Sequence, residues 1–154
     1  MKTLKNIDGG IKMKIYLSAD KDGFNLKEVI KTYLTENDFT VVDLAETPAE
    51  DFVESANNLA AKVTEDETGA GILFDAYGAV SFMAATKHKG IVVAEISEEW
   101  SANMTRRHNN ARVISIGSEI VGEGLAKGIV RAFADSEYDG GRHQIRVDML
   151  DAMC

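Results

Sequence analysis

The chain has 154 residues, one domain's worth, with apolar and charged fractions of 45% and 27%, the balance of an ordinary globular protein. Its net charge of −8 and pI near 4.9 exclude a general nucleic-acid backbone binder, which needs a basic face. The single cysteine, Cys154, allows no intrachain disulfide, and no apolar run approaches the roughly 20 residues of a membrane span. A reducing cytoplasm is the expected compartment, and no leader-type apolar stretch opens the chain.

Residues 1–12 are polar, carry Gly9-Gly10, and read as a flexible extension. From Met13 onward, apolar runs alternate with amphipathic stretches. Lys14–Leu17 predicts a first strand, and Leu26, Val29, Ile30 and Tyr33-Leu34 recur at helical spacing. Phe39–Leu44 is the second strand. Asp51–Thr64 is the second helix, with Phe52, Ala56, Leu59, Ala60 and Val63 on one side. Gly71–Phe74 is the third strand, and a third helix runs from Gly78 through His88. Ile91–Ile96 follows as a strand, and Ser97 is positioned to cap a fourth helix with Glu98 and Glu99 in its first turn. Arg112–Ile116 is the fifth strand, Gly122–Ala134 the fifth helix, and Gly141–Met153 a last helix.

Five strand–helix alternations predict an α/β fold. It is a three-layer Rossmann-like sandwich with a five-stranded parallel sheet and helices on both faces. Ligands in such sheets bind beyond the carboxyl ends of the strands. The terminal helix bears Ile145, Val147, Met149 and Leu150 with no later strand to cover them. It packs either on its own domain or across an oligomer contact. There is no GxGxxG fingerprint and no P-loop, so no cofactor is expected, and no ligand spacing for a metal is seen.

Every arginine lies between Arg106 and Arg146, in company with His108 and His143. Two local basic groups in an acidic protein point to a small anion. Arg142 and Arg146 are four residues apart at a helix start, where the dipole disfavours cations and a phosphate would reverse the penalty. The alternative is pairing with Asp135, Glu137, Asp139 or Asp148. His108-Asn109 reads first as a helix C-cap with Asn109 left-handed, a role compatible with proton shuttling and hydroxyl recognition. Asp75, at the end of the third strand, is a candidate base or a polar turn residue.

Four stretches carry a wider resemblance. They are Asp75-Ala-Tyr-Gly-Ala-Val-Ser-Phe-Met-Ala-Ala-Thr-Lys87, Met104-Thr-Arg-Arg-His-Asn-Asn-Ala-Arg112, Ile116-Gly-Ser-Glu-Ile-Val-Gly122, and Tyr138-Asp-Gly-Gly-Arg-His-Gln-Ile-Arg-Val-Asp-Met149. With them the chain resembles the type B ribose-5-phosphate and galactose-6-phosphate isomerases from Met13 to Cys154, and among these the A-type subunits. The resemblance implies aldose–ketose isomerisation at a site between subunits, with His108 for ring opening, Asn109 for hydroxyl contacts and Arg142 and Arg146 for phosphate. Asp20 is a substrate-binding candidate, within Ala19-Asp20-Lys21-Asp22-Gly23.

The family's Cys-Gly-Thr-Gly-x-Gly loop is degenerate here, as Asp75-Ala76-Tyr77-Gly78-Ala79-Val80, with Val80 expected to add bulk where a glycine allows close approach. The glutamate of a variant class is Ser81, the usual histidine of the first loop is Lys21, and a usual arginine is Glu119. The implied partner is a B subunit with an intact cysteine loop; a homodimer is allowed when the chain is expressed alone. The implied reaction interconverts D-galactose 6-phosphate and D-tagatose 6-phosphate in lactose and galactose catabolism. Two alternatives stand beside it: a self-sufficient isomerase using Asp75, with ribose 5-phosphate a candidate substrate, and a non-catalytic sugar-phosphate sensor.

Overall fold

The computed structural model describes residues 13–153. The expected extension at 1–12 and the thiol of Cys154 lie outside them. The strands are β1 (Lys14–Ala19), β2 (Thr40–Asp43), β3 (Ala70–Asp75), β4 (Val92–Glu95) and β5 (Ala111–Gly117). They form one parallel sheet in the order β2-β1-β3-β5-β4. The central strand β3 is buried along its whole length, because helices cover both faces. Between the strands lie α1 (Phe24–Glu36), α2 (Phe52–Glu65), α3 (Ala79–Ala85) and α4 (Glu99–Asn109); α5 (Glu123–Ala134) follows β5. A short 3-10 turn, Gly141–His143, leads into α6 (Gln144–Asp151).

The core has two layers, one on each sheet face. Ile15, Leu17, Ile72, Phe74, Ile114 and Ile116 meet α1 and α5 through Ile30, Leu34, Ile129 and Phe133. Tyr16, Leu73 and Val113 meet α2 and α3 through Leu59, Val63 and Ala85. The alternation of strand side chains between the two layers follows from the pleat. At the sheet's edge, Lys27 is fully buried. Its ammonium donates to Asp43 at 2.7 Å, Glu28 at 2.5 Å and the Ala45 carbonyl at 2.6 Å, which is how a buried charge is tolerated.

Three local expectations are corrected. Helix α3 stops at Ala85 and does not run through His88. The amides of Lys87 and His88 bond to carbonyls three residues back, and Thr86 Oγ1 donates to the Met83 carbonyl, so the chain tightens into turns before left-handed Gly90. The cap of α4 is Glu98, which accepts from the amides of Trp100 (2.6 Å) and Ser101 (2.7 Å). Ser97 instead donates its hydroxyl to Glu95. The left-handed residue after α4 is Asn110 (φ 53°), and Asn109 belongs to the last helical turn.

Helix α6 sits on its own domain through Val147, its one buried residue, and leaves Ile145, Met149 and Leu150 exposed.

Candidate functional site

Two sets of candidate side chains form at opposite ends of the strands. The first gathers where α4 ends. His108, in the last turn, stacks on His143 with centroids 4.3 Å apart and planes 8° from parallel. The chain reaches this position because Gly140 (φ 61°) and Gly141 (φ 56°) take left-handed turns that a side chain would resist. Asp139 fastens the same segment to α4: its amide donates to the Arg107 carbonyl at 2.9 Å, and its carboxylate accepts from the Arg107 guanidinium at 3.0 Å. Asn109, Arg142 and Arg146 are exposed beside them.

The carboxylates expected as alternative partners of Arg142 and Arg146 make no ion pair with them. Asp135 pairs with Arg131, Asp139 with Arg107, and Asp148 accepts from Gln144. Among the described residues, neither Arg142 nor Arg146 has an ion-pair partner. Burial, then the neighbouring His108 ring and Arg142, push the His143 imidazole below its usual range, with Asp139 opposing. His108, Asp139 and His143 bring donor atoms within 4.8 Å of one another, a spacing a metal ion can use. Arg107, Arg142 and Arg146 outnumber the lone carboxylate, however, so the net charge favours an anion.

The second set lies past the carboxyl ends of β1, β3 and β5. Asp20 folds back on its own loop, accepting from the amides of Asp22 and Gly23 at 3.0 Å each. Burial pushes its carboxyl up, against those two bonds, and the nearby charge of Asp75 adds to the rise. The Asp75 carboxylate is buried and accepts three amides: Tyr77 at 2.9 Å, Gly78, and Ser81 at 2.9 Å. Gly78 (φ 80°) makes the turn that brings these amides together.

Close packing locks the loops. A Cβ on Gly117 would lie 2.4 Å from the Tyr77 carbonyl carbon, and one on Gly23 would lie 2.2 Å from that of Phe74. Tyr77 itself is 63% exposed. Val80 does not fill the loop as expected; it lines an apolar groove with Phe52, Val53 and Met83, between α2 and α3.

The two sets cannot share one pocket within a single chain. His108 stands just before the first residue of β5, whereas Asp75 pairs with Gly117 at that strand's end. Seven residues of strand separate these ends by about 20 Å. Asp20 and Asp75 are brought together, as are His108, Arg142 and Arg146, but the groups stay apart.

A ribose/galactose isomerase family model matches residues 15–150. The chain belongs to this family. It is 55% identical over 142 residues to the galactose-6-phosphate isomerase subunit LacA 2 of Streptococcus pyogenes serotype M3, covering 92% of this chain and all of that one. It is 54% identical, with the same coverage, to the subunit LacA of Staphylococcus epidermidis. Among solved structures, ribose-5-phosphate isomerase B of Clostridium thermocellum superposes with a TM-score of 0.87 at 32% identity, covering 92% of this chain and 97% of that one. The Mycoplasma genitalium ribose-5-phosphate isomerase B, solved with bound ribulose-5-phosphate, gives 0.87 at 32% identity, covering 94% and 97%.

Sequence reasoning missed the His108–His143 stack and the Arg107–Asp139 clasp. The Gly140-Gly141 pair was the available signal for the first. Nothing in the sequence pairs Arg107 with Asp139, 32 positions away.

Proposed function

We propose that this chain is the A-type subunit of a hetero-oligomeric galactose-6-phosphate isomerase, interconverting D-galactose 6-phosphate and D-tagatose 6-phosphate. The observation that carries this reading is the separation of the two residue sets. One end of the strands offers unpaired cations and a histidine; the other offers a loop whose amides are already occupied. A complete site therefore takes the cationic end of this chain and the loop of another.

In this reading Arg142 and Arg146 hold the phosphate by charge-assisted bonds. Asn109 binds a sugar hydroxyl. His108 serves ring opening: the C1 to ring-oxygen bond breaks, the ring oxygen gains a proton, and the C1 hydroxyl gives one up as the carbonyl forms. Isomerisation then moves a proton between C2 and C1 through an enediol, and needs a positioned base. That base is assigned to a loop cysteine of the B-type partner. Asp75 is a poor substitute, because its own loop amides engage both of its oxygens.

The apolar groove of Phe52, Val53, Val80 and Met83, beside the degenerate loop, and the exposed Ile145 and Met149 of α6 are assigned to subunit contacts. Residues 13–154 form the single isomerase domain, with 1–12 an extension to it. The location is cytoplasmic, where charge retains sugar phosphates.

The test mixes this chain with a cysteine-containing B-type subunit, and separately with that subunit carrying alanine in place of the cysteine. Isomerisation is expected in the first mixture only. Robust turnover by this chain alone would overturn the division of labour.

A further inference from the structure

We infer that His143 is a positioning residue, which together with Asp139 sets the ring plane of His108 for proton transfer to and from the sugar ring. This rests on the isomerase reading above and names the device that orients its acid–base group.

His108 needs such a device. It stands in the last turn of α4 with its side chain 39% exposed, and no residue of its own helix bonds to it. An imidazole so placed samples several rotamers, and proton transfer is efficient only when the donor nitrogen is aimed. The His143 ring covers one face of it at 4.3 Å and nearly parallel, while the side chain keeps 39% exposure. Asp139 Oδ2 lies 3.9 Å from His108 Nε2, beyond hydrogen-bond reach. It therefore biases orientation by charge without occupying the nitrogen that would meet a substrate oxygen.

The support is itself fixed. The Asp139 amide and carboxylate are both held by Arg107, and the His143 amide donates to the Gly140 carbonyl at 3.1 Å. Stacking suits a neutral ring, since two imidazolium rings face to face would repel. His143 meets that condition: burial, His108, Arg142 and Arg146 all disfavour its charged form, and Asp139 alone favours it.

The experiment uses the assembled enzyme with His143→Ala and His143→Phe. The alanine variant is expected to lower kcat about tenfold, the scale of effect from misorienting a reacting group, with KM within about twofold. Phenylalanine, which keeps the flat face, is expected to restore most of kcat. A change confined to KM would make His143 a phosphate contact, and an alanine variant with full kcat, or a phenylalanine variant as damaged as alanine, would also overturn the proposal. The stack is read separately in the chain alone by NMR: His143→Ala should shift the His108 ring protons by removing the neighbouring ring current. Loss of that shift difference counts against positioning, whereas an inactive wild-type assembly counts against the isomerase reading.

Discussion

Asp139 is clasped by Arg107 at two levels, its amide to the Arg107 carbonyl at 2.9 Å and its carboxylate to the Arg107 guanidinium at 3.0 Å. The clasp joins the segment bearing Arg142, His143 and Arg146 to the helix bearing His108. Asp139→Ala removes the ionic half. Because that pair is largely exposed, stability should fall by less than about 1 kcal/mol. The assembled enzyme should nevertheless lose kcat and gain KM together, as the two halves of the cationic site drift. Denaturant titration beside steady-state kinetics checks both; a stability loss without a kinetic effect would contradict the clasp's role.

Arg146→Ala should raise KM for the sugar phosphate and leave folding untouched. Its guanidinium is exposed and has no ion-pair partner among the described residues, so nothing is orphaned when it goes. A lost charge-assisted phosphate bond is worth roughly 1.5–3 kcal/mol, about 10- to 150-fold in KM. An unchanged KM in the assembled enzyme would remove Arg146 from the phosphate site.

Asp75→Ala should destabilise the chain while sparing the chemistry. The carboxylate satisfies the amides of Tyr77, Gly78 and Ser81 in a buried loop, and leaving them unmet costs at least about 2 kcal/mol. Asp75→Asn keeps an acceptor oxygen and should cost less. Assembled with its partner, the asparagine variant should turn over at the wild-type rate; a loss of several orders of magnitude would make Asp75 the base.

Lys27→Met should be strongly destabilising, by about 3 kcal/mol or more. The fully buried ammonium neutralises Asp43, whose own side chain is 6% exposed, and removal leaves that carboxylate with Lys31 as its one ion-pair partner among the described residues, beside the Ala45 amide. Chemical denaturation measures the loss. A Lys27→Met, Asp43→Leu double variant should recover part of it, because both charges then leave the interior.

Acid stability should follow Asp43. Burial raises its carboxyl, but the ammonium bonds from Lys27 and Lys31 and the Ala45 amide prevail and hold it below its ordinary value of 3.8. A depressed folded-state value gives stability that is complete above the unfolded value and is lost as pH falls through the folded one. The denaturation midpoint should therefore decline below about pH 4. Asp20, pushed up chiefly by burial, has the opposite sign: its contribution is present below its unfolded value and lost as pH rises through the folded one. Asp20→Asn should flatten that rising-pH loss without changing the acid limb.

The period of apolar residues determined the sheet and its helices, since β3 had to be buried on both faces and α2 on one side. Departures came where side chains compete for backbone amides. Glu98, one position later than the expected Ser97, accepts the first-turn amides of Trp100 and Ser101, while the Ser97 hydroxyl turns away to donate to Glu95. The residue types of the candidate site were also legible, since arginines, a histidine and an asparagine near glycines are visible in one dimension. What only the tertiary structure decided is where they stand. Parallel topology sends α4 back to the start of β5, so His108 and Asp75 fall at opposite ends of the strands. The Asp75 carboxylate bends into its own loop, and His143 lies flat on His108. Those relationships depend on the path of the chain in space, which local propensity does not encode.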